Sequence, residues 1–183
     1  MNSTWPRVST ILRILDDHYA EVPTGILATA AERGERLHRL CLTYLASLDG
    51  LCEKPAEILA EDAAAYLSFV RWVEVNQVKP IAIEQESICT QHQYRGTPDA
   101  LVTFGPKQIP TLPDLKFTRA ILRINRVQVM AYHKLDLYKD AKQMMLVHIQ
   151  PKDGHLKQET IKQDPRDWAA FMNALSVYRW RQS

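Results

Sequence analysis

The feature that most constrains this chain is a short turn that contains a proline. Residues 101–104 (Leu-Val-Thr-Phe) read as the end of a β-strand and Gly105-Pro106-Lys107-Gln108 as a turn, so the flanking segments should form an antiparallel hairpin. Pro106 cannot adopt positive φ, which argues against a two-residue primed turn and for a loop of about four residues. A loop centred between Pro106 and Lys107 sets Asp99 opposite Asp114. Opposed residues hold their Cβ atoms about 4.5–5.5 Å apart. Two carboxylates at that separation repel unless they share a divalent cation. Alternation turns Asp114 and Lys116 to one face and Leu115 to the other, towards a core. Pro113, with Pro110 nearby, can donate no ladder hydrogen bond, so the second strand is expected to start near Asp114 or to be bulged there.

Downstream, residues 119–138 lack proline and glycine and carry Ile121, Leu122, Ile124, Val127, Met130, Ala131 and Leu135 at helical spacing. Gln128 and Tyr132, four apart, stack on one face beside that stripe. They read as a core-edge pair or as part of a site, and their place directly after the Asp-x-Lys strand favours the second. Upstream, residues 25–47 form another helix pattern, capped by Thr24, with Leu27, Ala30, Ala31, Gly34, Leu37, Cys41, Tyr44 and Leu45 inward. His38 falls among them. It reads as a core histidine or as a metal ligand, and Gly34 would let another backbone come close.

Gly34-x-x-x-His38, Gly96-x-x-Asp99, Asp114-x-Lys116 and Gln128-x-x-x-Tyr132, in this order and approximate spacing, resemble the RecB-type branch of the PD-(D/E)XK nucleases. That branch includes small phage-type exonucleases and the mitochondrial genome maintenance exonuclease. The resemblance runs from Val8-Ser9-Thr10-Ile11-Leu12 through Ala30-Ala31-Glu32-Arg33-Gly34 to a C-terminal hairpin and helix. It implies an α/β fold with a restriction-endonuclease-like core, a central mixed β-sheet flanked by helices. Residues 1–183 would form one domain, with a mainly helical portion over 1–79 and the catalytic sheet and helices over 80–183. It further implies His38, Asp99 and Asp114 as metal ligands, joined by the backbone carbonyl of Leu115. Lys116 matches the catalytic lysine, and Gln128 and Tyr132 the helical pair that orients substrate and lysine. Glu84, on an expected strand over 81–87, aligns with an acid that often precedes the first aspartate, and Glu86 would share its face.

The implied activity is metal-dependent hydrolysis of DNA phosphodiester bonds, foremost as an exonuclease working from ends in recombination, repair or phage DNA processing. A structure-specific endonuclease and a DNA-binding relative that has lost cleavage are the alternatives. Hard carboxylate oxygens suit Mg²⁺ or Mn²⁺, and one histidine ligand shifts the preference towards manganese. Some members hold an iron–sulfur cluster on four cysteines, three of them near the C-terminus. No cysteine follows Cys89 here, so no cluster is expected. The expected partner is DNA, single- or double-stranded; a single-strand annealing protein is a candidate second partner, and the oligomeric state is left open.

Charge is unevenly distributed. Residues 115–183 carry 13 Lys/Arg against 6 Asp/Glu, and residues 1–114 carry 10 against 15. Arg119, Arg123 and Arg126 recur at helical spacing ahead of Gln128, as a phosphate track or as a solvated helical face. Cys41, Cys52 and Cys89 are scattered and suit a reducing cytoplasm, and no long apolar run or signal-like start is present, so a soluble cytoplasmic protein of a phage or bacterial host is expected without membrane contact. Further elements are expected as a helix over 57–75, strands over 144–149 and 155–161, and a helix over 165–181. In that last helix Trp180 is expected to pack rather than stack on a base.

Overall fold

A computed structural model describes residues 4–15 and 24–183. In chain order its elements are α1 (Val8–Leu12), α2 (Thr24–Leu48), α3 (Ala63–Val75), β1 (Lys79–Ile83), β2 (Ser87–Cys89), β3 (Tyr94–Gly96), β4 (Ala100–Phe104), β5 (Ile109–Lys116), α4 (Arg123–His133), β6 (Gln143–Ile149), β7 (Leu156–Ile161) and α5 (Pro165–Trp180). The fold is mixed α/β. Five strands form a central sheet in the order β1-β4-β5-β6-β7, and β2 and β3 form a separate two-stranded sheet. Within the central sheet β5 and β6 run parallel and the other neighbours antiparallel. A parallel pair needs a crossover, and α4 supplies it.

The hairpin has the expected register. Val102 pairs with Thr111, Thr103 with Pro110 and Phe104 with Ile109, all centred between Pro106 and Lys107. Gly105 (φ 72°) and Gln108 (φ 49°) take the left-handed positions of the loop, which spares Pro106. The expectation of a late or bulged start at Asp114 is corrected: β5 runs unbroken from Ile109 through both prolines. The antiparallel ladder with β4 covers only Ile109 to Thr111, whereas β6 pairs in parallel with Thr111 through Lys116. Pro113 therefore falls where the strand has already left the β4 ladder.

Side-chain alternation along β5 and β6 divides the core in two. Leu115, Met145 and Val147 pack with Leu37, Cys41 and Leu45 of α2 and Phe69 of α3. Leu112, Met144 and Leu146 face the other way, against Ile11 of α1, Val127 and Met130 of α4, and Phe171 and Leu175 of α5. Leu115 is buried on the face that alternation assigns to it.

Several boundaries differ from the sequence reading. The helix expected over 119–138 begins at Arg123, where the Leu122 N–H donates to the Asn125 side chain at 2.8 Å, and it ends at His133. Arg119 therefore lies in the connecting segment. The helix expected over 57–75 begins at Ala63, because Asp62 turns its carboxylate to α2 instead of capping a longer helix. The strand expected over 81–87 is two strands in different sheets, broken at Glu84 with φ 45°. Ala30 and Ala31 are exposed, since the early turns of α2 extend past the layer that covers Leu37 to Leu45. The side chains of Thr24 and Leu27 lie outside the described residues. Trp180 is 75% exposed on the last turn of α5, not packed. Among the described residues no helix is long and apolar enough to cross a membrane.

Candidate active site

The end of β5 delivers Asp114 and Lys116 to the α4 side of the sheet, and Asp99, just ahead of β4, folds its carboxylate over the neighbouring backbone. Asp99 Oδ2 accepts from the Leu115 N–H at 2.6 Å. Its Oδ1 lies 2.9 Å from His38 Nε2, brought from α2. Lys116 Nζ lies 2.6 Å from Asp114 Oδ2. On α4 the Gln128 amide donates to the Tyr132 hydroxyl at 3.2 Å. His38, Asp99, Asp114 and Lys116 are thus joined through two close pairs and the Leu115 backbone, with Tyr132 near enough to feel both carboxylates.

Asp114 stands apart from the others. It is 2% exposed, and neither carboxylate oxygen has a hydrogen-bond partner. The 2.6 Å approach of Lys116 is an ion pair without hydrogen-bond alignment, which is how the short contact and the unpartnered oxygens coexist. Burial pushes the Asp114 carboxyl up, Lys116 pulls it down and Asp99 pushes it up again, for a value of about 6. Burial pushes Asp99 up as well, but the His38 hydrogen bond, the nearby positive charges and the Leu115 N–H hold it below the ordinary carboxylate range. Burial alone would lower His38; Asp99 and Glu84 outweigh it and raise the imidazole. Lys116 is likewise lowered by burial but raised overall by the two aspartates. The Tyr132 phenol is pushed up by burial and both carboxylates, so its Oη keeps its proton.

A divalent cation is the group this donor set implies. Among the described residues no three His, Cys or acidic side chains already stand together as a metal cluster. The chemistry of the donors nevertheless fits one. Asp114 offers two buried oxygens with no hydrogen-bond partner, and Asp99 retains lone pairs beyond those used by His38 and the Leu115 N–H.

The two glutamates separate. Glu84 is close enough for its charge to act on His38, and its N–H donates to the Asp99 carbonyl at 3.0 Å. Glu86 pairs with Arg7 and Arg95 at 3.0 and 2.8 Å. The break at Glu84 removes the shared strand face on which they were equivalent. The arginine track is also revised. Arg123 lies 3.3 Å from the buried Asp167, and Arg126 is held between Asp167 and Glu159.

Sequence reasoning missed the role of Gly96. A Cβ there would lie 2.8 Å from Tyr132 Cε1, so the glycine is the space into which the Tyr132 ring fits. The Gly96-x-x-Asp99 spacing carried that signal, but its physical cause is a contact with a helix far along the chain. Gly34 has no such reason: a Cβ there would meet the Phe117 carbonyl at 3.9 Å, an ordinary contact.

No protein-family model and no curated protein matches the chain. Solved structures with a similar chain path include the alkaline exonuclease LHK-Exo from Laribacter hongkongensis. It has 13% identity and a TM-score of 0.49, with 96% of this chain and 86% of that chain covered. Its complex with dAMP gives 13%, 0.47, 97% and 87%. SSO0001 gives 15%, 0.45, 94% and 74%. At these identities and scores the chemistry of the site has to come from its own residues.

Proposed function

We propose that this chain is a divalent-metal-dependent nuclease that hydrolyses DNA phosphodiester bonds from ends, with Asp99, Asp114 and Lys116 at the reacting phosphate. The observation that carries the reading is the Asp114 carboxylate, buried with both oxygens lacking a hydrogen-bond partner. Such burial costs several kcal/mol. A fold keeps that cost where a cation removes it. Mg²⁺ or Mn²⁺, held by Asp99, Asp114, His38 and the Leu115 carbonyl, would supply charge neutralisation at the phosphate and a water of lowered pKa.

The chain's own groups do the rest. The Leu115 N–H fixes the Asp99 carboxylate from the backbone side, and in the metal-free arrangement His38 holds its other oxygen. Lys116 presents a compact ammonium that can bind a non-bridging phosphate oxygen or hold the attacking water as negative charge develops. Gln128 and Tyr132 orient one another, and the protonated Tyr132 hydroxyl is available to donate at the substrate. The resemblance of the four motifs to RecB-type nucleases supports DNA ends as the substrate, in recombination, repair or phage DNA processing.

Digestion of end-labelled linear and covalently closed circular DNA with Mg²⁺, Mn²⁺ or EDTA tests this. Linear DNA should be shortened only with metal. Lys116→Ala should keep its fold and metal affinity while losing about 10²–10³-fold in rate. Cutting of closed circles would replace the exonuclease with an endonuclease, and DNA bound but intact under every metal would leave a binding module.

A further inference from the structure

The registers of β5, β6 and β7 align one row of side chains across the sheet: Lys116 beside His148, and His148 beside Lys157. Two rows along on the same face, Leu112, Met144 and Ile161 pack on the α4 side, with Asp114, Leu146 and Glu159 as the row between. Gln158, one residue from Lys157, faces the opposite layer, where Trp72 Nε1 donates to it at 2.6 Å. Alternation therefore puts Lys157 on the same face as Lys116. His148 is 8% exposed, and its Nε2 lies 2.6 Å from the Thr118 carbonyl. That contact draws the segment after Lys116 over β6 and leaves the next residue, Arg119, exposed beside the row.

The surrounding charges give the row a direction. On the β4 side of Asp114 stand Asp99 and Glu84. On the β7 side, Arg123, Arg126 and Arg166 are already paired with Asp167, Glu159 or Asp164. Arg119 and Lys157 are exposed and have no ion pair or side-chain hydrogen bond among the described residues. A polyanion leaving the catalytic carboxylates is repelled on one side and meets two unengaged cations on the other. From β5 to β7 is about 9.5 Å, the axial rise of roughly three nucleotides of a duplex strand.

We propose that the bound nucleic-acid strand leaves Lys116 across β6 and β7, its backbone phosphates held by Arg119 and Lys157, with His148 as the positioning residue for the Arg119 segment. This rests on the nuclease reading and adds the path of the substrate to it. The bland alternative for Lys157 is an edge-strand lysine that only discourages strand addition. Lys79, on the opposite edge strand β1, is its control.

Binding of fluorescently labelled linear DNA is to be measured over a salt series with Ca²⁺ in place of the catalytic metal. Hydrolysis of bis(p-nitrophenyl) phosphate with Mn²⁺ is measured alongside, because that small diester reaches the carboxylates without touching the track. Arg119→Ala and Lys157→Ala should each reduce the slope of log K against log salt by about 0.7–0.9, and the double variant by about twice that, with small-diester hydrolysis unchanged. Lys79→Ala should leave both readings unchanged. His148→Ala should weaken binding as Arg119→Ala does and add nothing in combination with it, and His148→Gln, which can still donate to Thr118, should restore binding. A parent that binds DNA with a slope unaltered in the Arg119 and Lys157 variants overturns the track and leaves the nuclease reading intact. A parent that neither binds DNA nor hydrolyses either substrate overturns the reading beneath it.

Discussion

Asp62 and Asp114 are both buried carboxylates, at 0% and 2% exposure, and their surroundings could hardly differ more. Asp62 sits at the junction of α2 and α3, where Arg33 donates to it at 3.2 Å and Arg36 at 2.5 Å. Arg33 also reaches the Pro151 carbonyl at 2.9 Å, so the cluster ties α2 to the β6–β7 turn. Asp114 sits at the end of β5 with one misaligned ammonium and no hydrogen bond. One acid is fully matched within the fold. The other is met within the fold by a single ammonium, that of Lys116. A buried acid that lacks partners marks where a fold has exchanged stability for chemistry.

Exchanging the charges tests that contrast. Asp114→Asn should abolish cleavage, by about 10³-fold or more in rate, while the melting temperature of the metal-free protein stays level or rises. The rise follows because burial outweighs Lys116 and already favours a neutral side chain at this position. A clear fall in melting temperature would mean that Asp114 is a structural acid like Asp62.

Asp62→Asn should do the reverse. Arg33 and Arg36 would lose their shared anion, but they stay 26% and 35% exposed and keep part of their hydration. The melting temperature should fall by roughly 5 °C, with cleavage largely retained well below it. Circular-dichroism melts and rates measured at low temperature separate the two effects.

The smallest effect is that of pH on the metal-free protein. His38 is raised above 6.5, so its stabilising contribution is complete below that pH and is lost as pH rises through the folded value. Asp114 is raised from 3.8 to about 6, so the fold favours its protonated form and loses that preference as pH rises through about 6. Asp99 is lowered and loses stability only further into acid. Between about pH 8 and pH 5 both active groups therefore act in one direction, and the melting temperature in EDTA should rise by roughly 4 °C as pH falls. Excess Mn²⁺ should reverse the slope, since the ligands bind metal only as bases.

The matched acid and the unmatched one were unequally legible in the sequence. The register at the turn and the face that Asp114 shares with Lys116 could be read because a hairpin is local, but the expected pairing of Asp99 with Asp114 lies beyond the β4–β5 ladder, which ends at Val102 and Thr111. His38 could be placed on the inward face of α2 for the same reason. Asp62 could not be singled out, because its arginines lie 26 and 29 residues earlier, where nothing in a helical pattern distinguishes them from solvated charges. The start of α4 was misplaced because residues 119–122 have helical spacing, yet the contact that draws the chain over β6 is made by His148 on another strand. The break at Glu84 was hidden by an apolar and acidic alternation that continued through two strands belonging to different sheets.

The parallel pairing of β5 with β6 also has a consequence for how the molecule assembles. The β4–β5 and β6–β7 hairpins each close over short loops and can form early, whereas joining them requires the 26 residues from Phe117 to Lys142 to be folded back as a crossover. Asp99 and Asp114 both lie past the paired part of the β4–β5 hairpin, and the strand that pairs with Asp114 is β6, so the crossover that seats β6 also carries α4, with Gln128 and Tyr132, to the site. Charges and walls of the site are thus completed by one long-range step, the closing of the crossover between β5 and β6.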